Sequence, residues 1–198
     1  QARQGLEGEQ VAAKGRGRIG PQVIQFLFQP AGFVGGRTIM DRDGGTAGVH
    51  VAAALVTLAH ALDYRTVVAD GRAGFLTRER FPDADQLILG WPDEAFAQAG
   101  IDSATAVAVL THDPKFDDPA LMIALRSPAM YVGAIGSKKT QAARRERLRA
   151  AGLTDDQVGR VFGPIGLDLG GPTPAETALA IMAEIVAVRH GAAVARTA

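Results

Sequence analysis

Four groups of residues in this 198-residue chain have types and spacings suited to holding an anion or moving a proton. The first is the stretch YVGAIGSKKT, Tyr131 to Thr140, in which an apolar run ends in two glycines, a serine and two lysines. Gly133 and Gly136 let a backbone turn pass close to a ligand. Ser137, Lys138 and Lys139 bring donors and charge to the start of the next helix, where the helix dipole also favours an anion. It is not an ATPase P-loop, which separates its glycines by four residues and follows the second with Lys-Ser/Thr. Here only Ala134 and Ile135 intervene. The competing reading is a tight turn with solvated lysines.

The second group is GGTAGVH, Gly44 to His50. A glycine turn that opens a helix places backbone N–H groups, near Gly48 and His50, against a pyrophosphate. Asp70 follows about 20 residues on, where an acidic residue meets a ribose hydroxyl in dinucleotide-binding folds. A flexible loop before a core helix explains the glycines equally. The third group is THDPKFDDP. A His112–Asp113 pair suits proton transfer or a metal-bound phosphate. The simpler account is a turn at Asp113-Pro114, with Asp118 before Pro119 capping a helix that begins at Asp117. The fourth is GPIGLDLGGPTPAET, where Asp168 and a helix N-terminus face the same end of the fold. Other polar residues take plainer roles. His60 packs inside a helix, Trp91-Pro92 is structural, and Arg144, Arg145, Arg147 and Arg149 form a solvated helix face.

The elements that must position these groups alternate between strand and helix. VIQFLF (23–28), RTVVAD (65–70), TAVAVLT (105–111) and AMYVGAI (129–135) read as strands. HVAAALVTLAHAL (50–62), GWPDEAFAQAG, DDPALMIALR (117–126), 140–151 and TDDQVGRVF read as helices. The last helix is the clearest. Thr173 caps it, Pro174 takes its first position, Glu176 completes a capping box and Gly191 stops it. The pattern implies an α/β fold: a doubly wound, mostly parallel, Rossmann-like sheet with helices on both faces. In such sheets ligands bind at the carboxyl ends of the strands, where all four groups fall. Residues 46–198 carry this pattern. Residues 1–45 are polar and Gly-rich, and are read as a separate N-terminal segment, a remnant of another domain.

Composition narrows the function classes. The hydrophobic content is 47% and the charged content 21%, a globular profile. Formal net charge is zero, which makes no case for nucleic acid. No apolar run approaches the ~20 residues a membrane helix needs. With no cysteine, disulfides, thiolate metal ligands and cysteine nucleophiles are excluded, and a cytoplasmic protein is expected.

Four segments, in order, resemble a known family: DGRAGFLTRERFPDAD, VLTHDPKFDDPAL, YVGAIGSKKT and GPIGLDLGGPTPAETALAIMAEIVA. They are similar to the C-terminal domain of the XdhC/CoxI family, accessory proteins of xanthine dehydrogenase and related molybdenum hydroxylases. The resemblance runs from about His50 to Gly191. It implies a Rossmann-like domain that binds molybdenum cofactor (molybdopterin) or a related nucleotide, supports its sulfuration and delivers it to an apo-hydroxylase. A homodimer is expected. The chain departs from the family in two ways. It lacks the family's cysteine-containing Gly-rich motif, and DRDGGTAGVHVAAAL lacks the family's apolar strand running into the glycine turn.

Two other functions fit the residues alone. An NAD(P)-dependent oxidoreductase draws on Asp70 and the glycine turn, although no Tyr-x-x-x-Lys pair is present. A non-catalytic nucleotide-binding module needs only the fold. The candidate ligand site is Gly48, His50, Asp70, His112, Asp113, Gly133, Gly136, Ser137, Lys138 and Lys139, with no nucleophile and no metal ligand assigned.

Overall fold

The computed structural model describes residues 23–28 and 47–194. Gly44, Gly45 and Thr46 of the glycine turn, and the departure between Pro30 and Gly48, lie outside the described residues. Among the described residues, six strands form one sheet in the order β3-β2-β1-β4-β5-β6, every pairing parallel. They are β1 (Val23–Phe28), β2 (Arg65–Asp70), β3 (Gln86–Leu89), β4 (Ala106–Val109), β5 (Tyr131–Ala134) and β6 (Val161–Phe162). The helices are α1 (Ala47–Ala61), α2 (Pro92–Ala99), α3 (Pro114–Arg126), α4 (Lys138–Ala150), α5 (Asp155–Gly159) and α6 (Pro174–Arg189). The chain winds outward one way through β1, β2 and β3, then the other way from β4 to β6. The switch point therefore falls between β1 and β4, where doubly wound sheets open a crevice for ligand. β1, from the N-terminal segment, is a central strand held between β2 and β4.

Period-2 alternation assigns each strand residue to one of two cores. Val68, Ala106, Ala108 and Tyr131 pack with α1 and α6. Val67, Ala69, Val107, Val109, Val132 and Ala134 pack with α2, α3, α4 and α5. All four residues of β4 are fully buried, as a parallel strand covered on both faces must be. Gly48 lets α1 close onto this strand: a Cβ there would lie 2.5 Å from the Leu110 carbonyl oxygen.

Several elements differ from the sequence expectations. α3 begins at Pro114, not at Asp117. Asp113 caps it by accepting the Lys115 N–H at 2.9 Å, so the first proline takes the entry position and Pro119 lies inside the helix. TDDQVGRVF divides into α5 and the two-residue strand β6. QLIL forms the edge strand β3, which its short length hid. The last helix has the expected Thr173 cap, Pro174 and Glu176.

The arginines of α4 are the largest correction. Arg144 is not solvated: its side chain is 1% exposed and bonds Asp117 of α3 at 2.5 Å, Gln141 at 2.7 Å and the Ile135 carbonyl at 3.0 Å. Arg147 forks onto Asp118 at 2.6 and 3.0 Å, the geometry guanidinium and carboxylate favour. Asp118 therefore serves an ion pair and caps nothing. Two acidic residues one position apart on α3 thus meet two arginines of α4.

Two measurements check this packing. Gly48→Ala should cost about 1–3 kcal/mol of unfolding free energy by overpacking. Gly74→Ala, where an added Cβ meets nothing within 4 Å among the described residues, should stay within about 0.5 kcal/mol of wild type in the same denaturant titration. The second concerns pH. Burial lifts the Asp117 carboxyl to about 6, outweighing the Arg144 charge and hydrogen bond that lower it. The folded pKa exceeds the unfolded value of about 3.9. The folded chain therefore holds the proton more tightly, and this contribution is full below about pH 4 and lost as pH rises through about 6. Asp117→Asn should remove that component, so the wild-type-minus-variant difference in unfolding free energy falls from pH 4 to pH 7. A flat difference would contradict it.

Candidate functional site

The strand ends are level across the sheet. Phe28 pairs with Asp70, Leu27 with Val109, and Val109 with Ala134. The segments after β4 and β5 therefore emerge side by side, and the segment after β2 emerges at the same edge on the other side of β1.

The turn after β5 is built for a sharp reversal. Gly136 has φ +132°, a left-handed value that favours glycine. Ser137 then caps α4 by accepting the Thr140 N–H at 3.2 Å. Lys138 and Lys139 occupy the first two helical positions and are exposed. Backbone N–H groups at such positions have no acceptor within the helix, so they and both ammonium groups can meet an anion. Gln141 braces the turn from behind by donating to the Ala134 carbonyl at 2.8 Å. Gly133 has a different task. It lies inside β5, where a Cβ would come within 2.5 Å of the Tyr131 hydroxyl and 2.6 Å of Ile165. Packing against the segment after β6 accounts for this glycine.

After β4, the Thr111 hydroxyl accepts the Asp113 N–H at 3.0 Å, and Asp113 in turn caps α3. The His112 side chain is exposed at the rim. Partial desolvation, followed by the positive charge of Arg144, pushes its imidazole below the ordinary histidine pKa. A neutral imidazole can accept a proton at one ring nitrogen and donate a hydrogen bond from the other. Gly48 touches this segment through Leu110, which brings the α1 N-terminus to the β4 end. His50, in the first turn of α1, is partly buried.

Asp70 ends β2, on the far side of β1. It is 2% exposed, and its carboxylate accepts three hydrogen bonds from Arg72: the backbone N–H at 2.8 Å, Nε at 3.0 Å and a terminal nitrogen at 2.9 Å. Arg72 in turn lies 3.9 Å over the Phe75 ring. Burial raises the Asp70 pKa against the lowering effect of Arg72. The carboxylate is thus occupied by its own chain, and it shapes the β2–β3 loop.

The structure therefore brings Gly48, His112, Asp113, Gly136, Ser137, Lys138 and Lys139 to neighbouring strand ends, with Arg144 behind them. It sets Asp70 apart, one strand away. Sequence reasoning missed Glu184. This buried α6 residue accepts the Tyr131 hydroxyl at 2.5 Å and the Gly166 N–H at 2.9 Å. Burial first, then the charge of Glu184, raises the Tyr131 pKa well above its ordinary value, so the phenol stays a donor. Glu184 thereby ties the segment after β6 to β5, and Ile165 adds a backbone bond to Ala134 at 3.1 Å. A lone glutamate in the apolar run ALAIMAEIVAV was the available signal. Asp168 of the same segment is exposed. Among the described residues no group of three or more His, Asp or Glu could hold a metal ion.

Comparison with known proteins agrees with this architecture. A Bacillus subtilis protein described as a probable subunit of xanthine dehydrogenase is 29% identical over 140 residues, 71% of this chain and 40% of that protein. The Escherichia coli molybdenum cofactor insertion chaperone PaoD is 33% identical over 95 residues, 48% of this chain and 30% of PaoD. The crystal structure of a protein described as a xanthine dehydrogenase from Bacillus halodurans superposes with a TM-score of 0.66 at 26% identity, covering 89% of this chain and 45% of that one. The chain thus spans less than half the length of each. Residues 46–185 match the family model described as the XdhC Rossmann domain, and the chain belongs to that family.

Proposed function

We propose that this chain is the Rossmann domain of an accessory factor for a molybdenum hydroxylase of the xanthine dehydrogenase type. It binds molybdenum cofactor, or a related nucleotide, at the carboxyl edge of the sheet and aids its delivery to the hydroxylase. In this reading it acts in the cytoplasm as a homodimer. The carrying observation is the match of residues 46–185 to the XdhC Rossmann domain. The relation to a cofactor insertion chaperone supports the choice of cargo.

The site chemistry fits a phosphorylated cargo. The phosphate takes the first turn of α4, held by the backbone N–H groups and side chains of Lys138 and Lys139, with Ser137 and Gly136 shaping the turn. Gly48 brings a second helix N-terminus beside the β4 end. His112 and Asp113 lie between these two helix ends, where they can hydrogen bond polar atoms of the cargo. The exposed lysines leave the phosphate releasable, as delivery demands.

An NAD(P)-dependent oxidoreductase is the competing reading, and Asp70 speaks against its NAD form. The carboxylate expected on the ribose is engaged on both oxygens by Arg72.

Replacing Lys138 and Lys139 together by Ala should weaken binding of molybdenum cofactor at least tenfold at low salt. Charge-assisted bonds of about 1.5–3 kcal/mol each set that scale. Both residues are exposed, so the melting temperature should move little. Isothermal titration beside a thermal melt gives both numbers. Unchanged affinity would remove this turn from the site.

A further inference from the structure

The chain's one tryptophan occupies a position that helix chemistry does not explain. Trp91 is the N-cap of α2. That position favours Ser, Thr, Asp or Asn, whose side-chain oxygen accepts an N–H of the first turn. An indole offers only a donor. Glu94 partly compensates by accepting the backbone N–H of Trp91 at 3.1 Å. Burial does not explain the residue either, because Trp91 is 50% exposed.

Its surroundings suggest what it does. The preceding Gly90 N–H bonds the Asp70 carbonyl at 3.3 Å, so Trp91 begins at the carboxyl ends of β2 and β3. From there the indole reaches to α3 and stacks on Phe116, with centroids 4.2 Å apart and planes 21° apart. Phe116 itself is 2% exposed and fixed in the core. Phe116 is the third residue of α3, directly after the His112–Asp113 segment. The indole is thus backed on one face by a rigid ring, and Trp91 stays half exposed beside the carboxyl ends of β2 and β3. α3 lies between α2 and α4, so the lysine turn is two helix positions from the start of α2, and the indole spans part of that distance by reaching Phe116 of α3.

The geometry points to Trp91 as a stacking platform for a fused nitrogen heterocycle, the chemistry shared by a pterin and a purine. Resting on the function proposed above, the heterocycle is the pterin of the cofactor. Phe116 holds the indole flat, so stacking costs little side-chain ordering. The platform recognises the ring face, and the polar groups after β4 recognise the ring edge.

Because Trp91 is the only tryptophan, its emission reports directly on this contact. The test titrates the full chain with molybdenum cofactor released anaerobically from a purified hydroxylase, and separately with AMP. Wild type, Trp91→Phe and Trp91→Leu are compared. The expected result is quenching of wild-type emission by the cofactor, near-normal affinity for Trp91→Phe, and about tenfold weaker binding for Trp91→Leu. Cofactor binding with unmoved emission and a Trp91→Leu affinity within about twofold of wild type would overturn the platform and leave the proposed function standing. Quenching by AMP alone would support the platform as a purine site and sink the cofactor reading. Binding of neither probe would overturn both.

Discussion

The buried Asp117–Arg144 pair is the interaction on which the arrangement of the candidate site depends. Arg144 reaches from α4 to a carboxylate of α3, to Gln141 on its own helix and to the Ile135 carbonyl. One side chain thus connects the turn after β4 with the turn after β5. Removing one partner of such a pair strands a buried charge and costs about 3–5 kcal/mol. The pair also reaches the chemistry, since the Arg144 charge helps keep His112 neutral. Arg147 and Asp118 repeat the α3–α4 connection nearer solvent, where it contributes less.

The site occupies one edge of the sheet for reasons of topology. Parallel strands send every βα turn to the same end, and the reversal of order between β1 and β4 leaves a crevice there. Local chemistry then sorts the turns. Gly136 and Ser137 open a helix end beside two lysines. Gly48 draws α1 against the β4 end. Glu184 closes the neighbouring flank by holding Gly166 and Tyr131 together. The two polar faces of the edge differ in kind: buried ion pairs stand behind the turns, and exposed lysines stand in front.

Much of this was legible in the residues. Capping chemistry marked α6 because Thr173, Pro174 and Glu176 act locally, and local signals survive in sequence. The alternation of strands and helices pointed to the doubly wound sheet for the same reason. The errors share a different cause. DPKFDDP offers two Asp-Pro or near Asp-Pro starts, and only the fit of Phe116 and Asp117 into the core selects the first. Arg144 and Arg147 sit in a run of charges that composition treats as one solvated face. Their partners lie 27 and 29 residues away on another helix. Gly133 looked like a ligand glycine, yet its need arises from Ile165, far along the chain. Asp70 fell at the expected strand end, but its partner Arg72 decides which way the carboxylate faces.

The central claim is that the carboxyl edge of this Rossmann domain carries molybdenum cofactor or a related nucleotide. Mass spectrometry of small molecules bound to the chain, isolated under native conditions from cells that make the cofactor, tests it most directly. The account predicts a molybdopterin species, or its nucleotide form, that is retained by the wild-type chain and depleted when Lys138 and Lys139 are both Ala. A chain recovered with only NAD(P), or with no pterin above the level of the double variant, would contradict it.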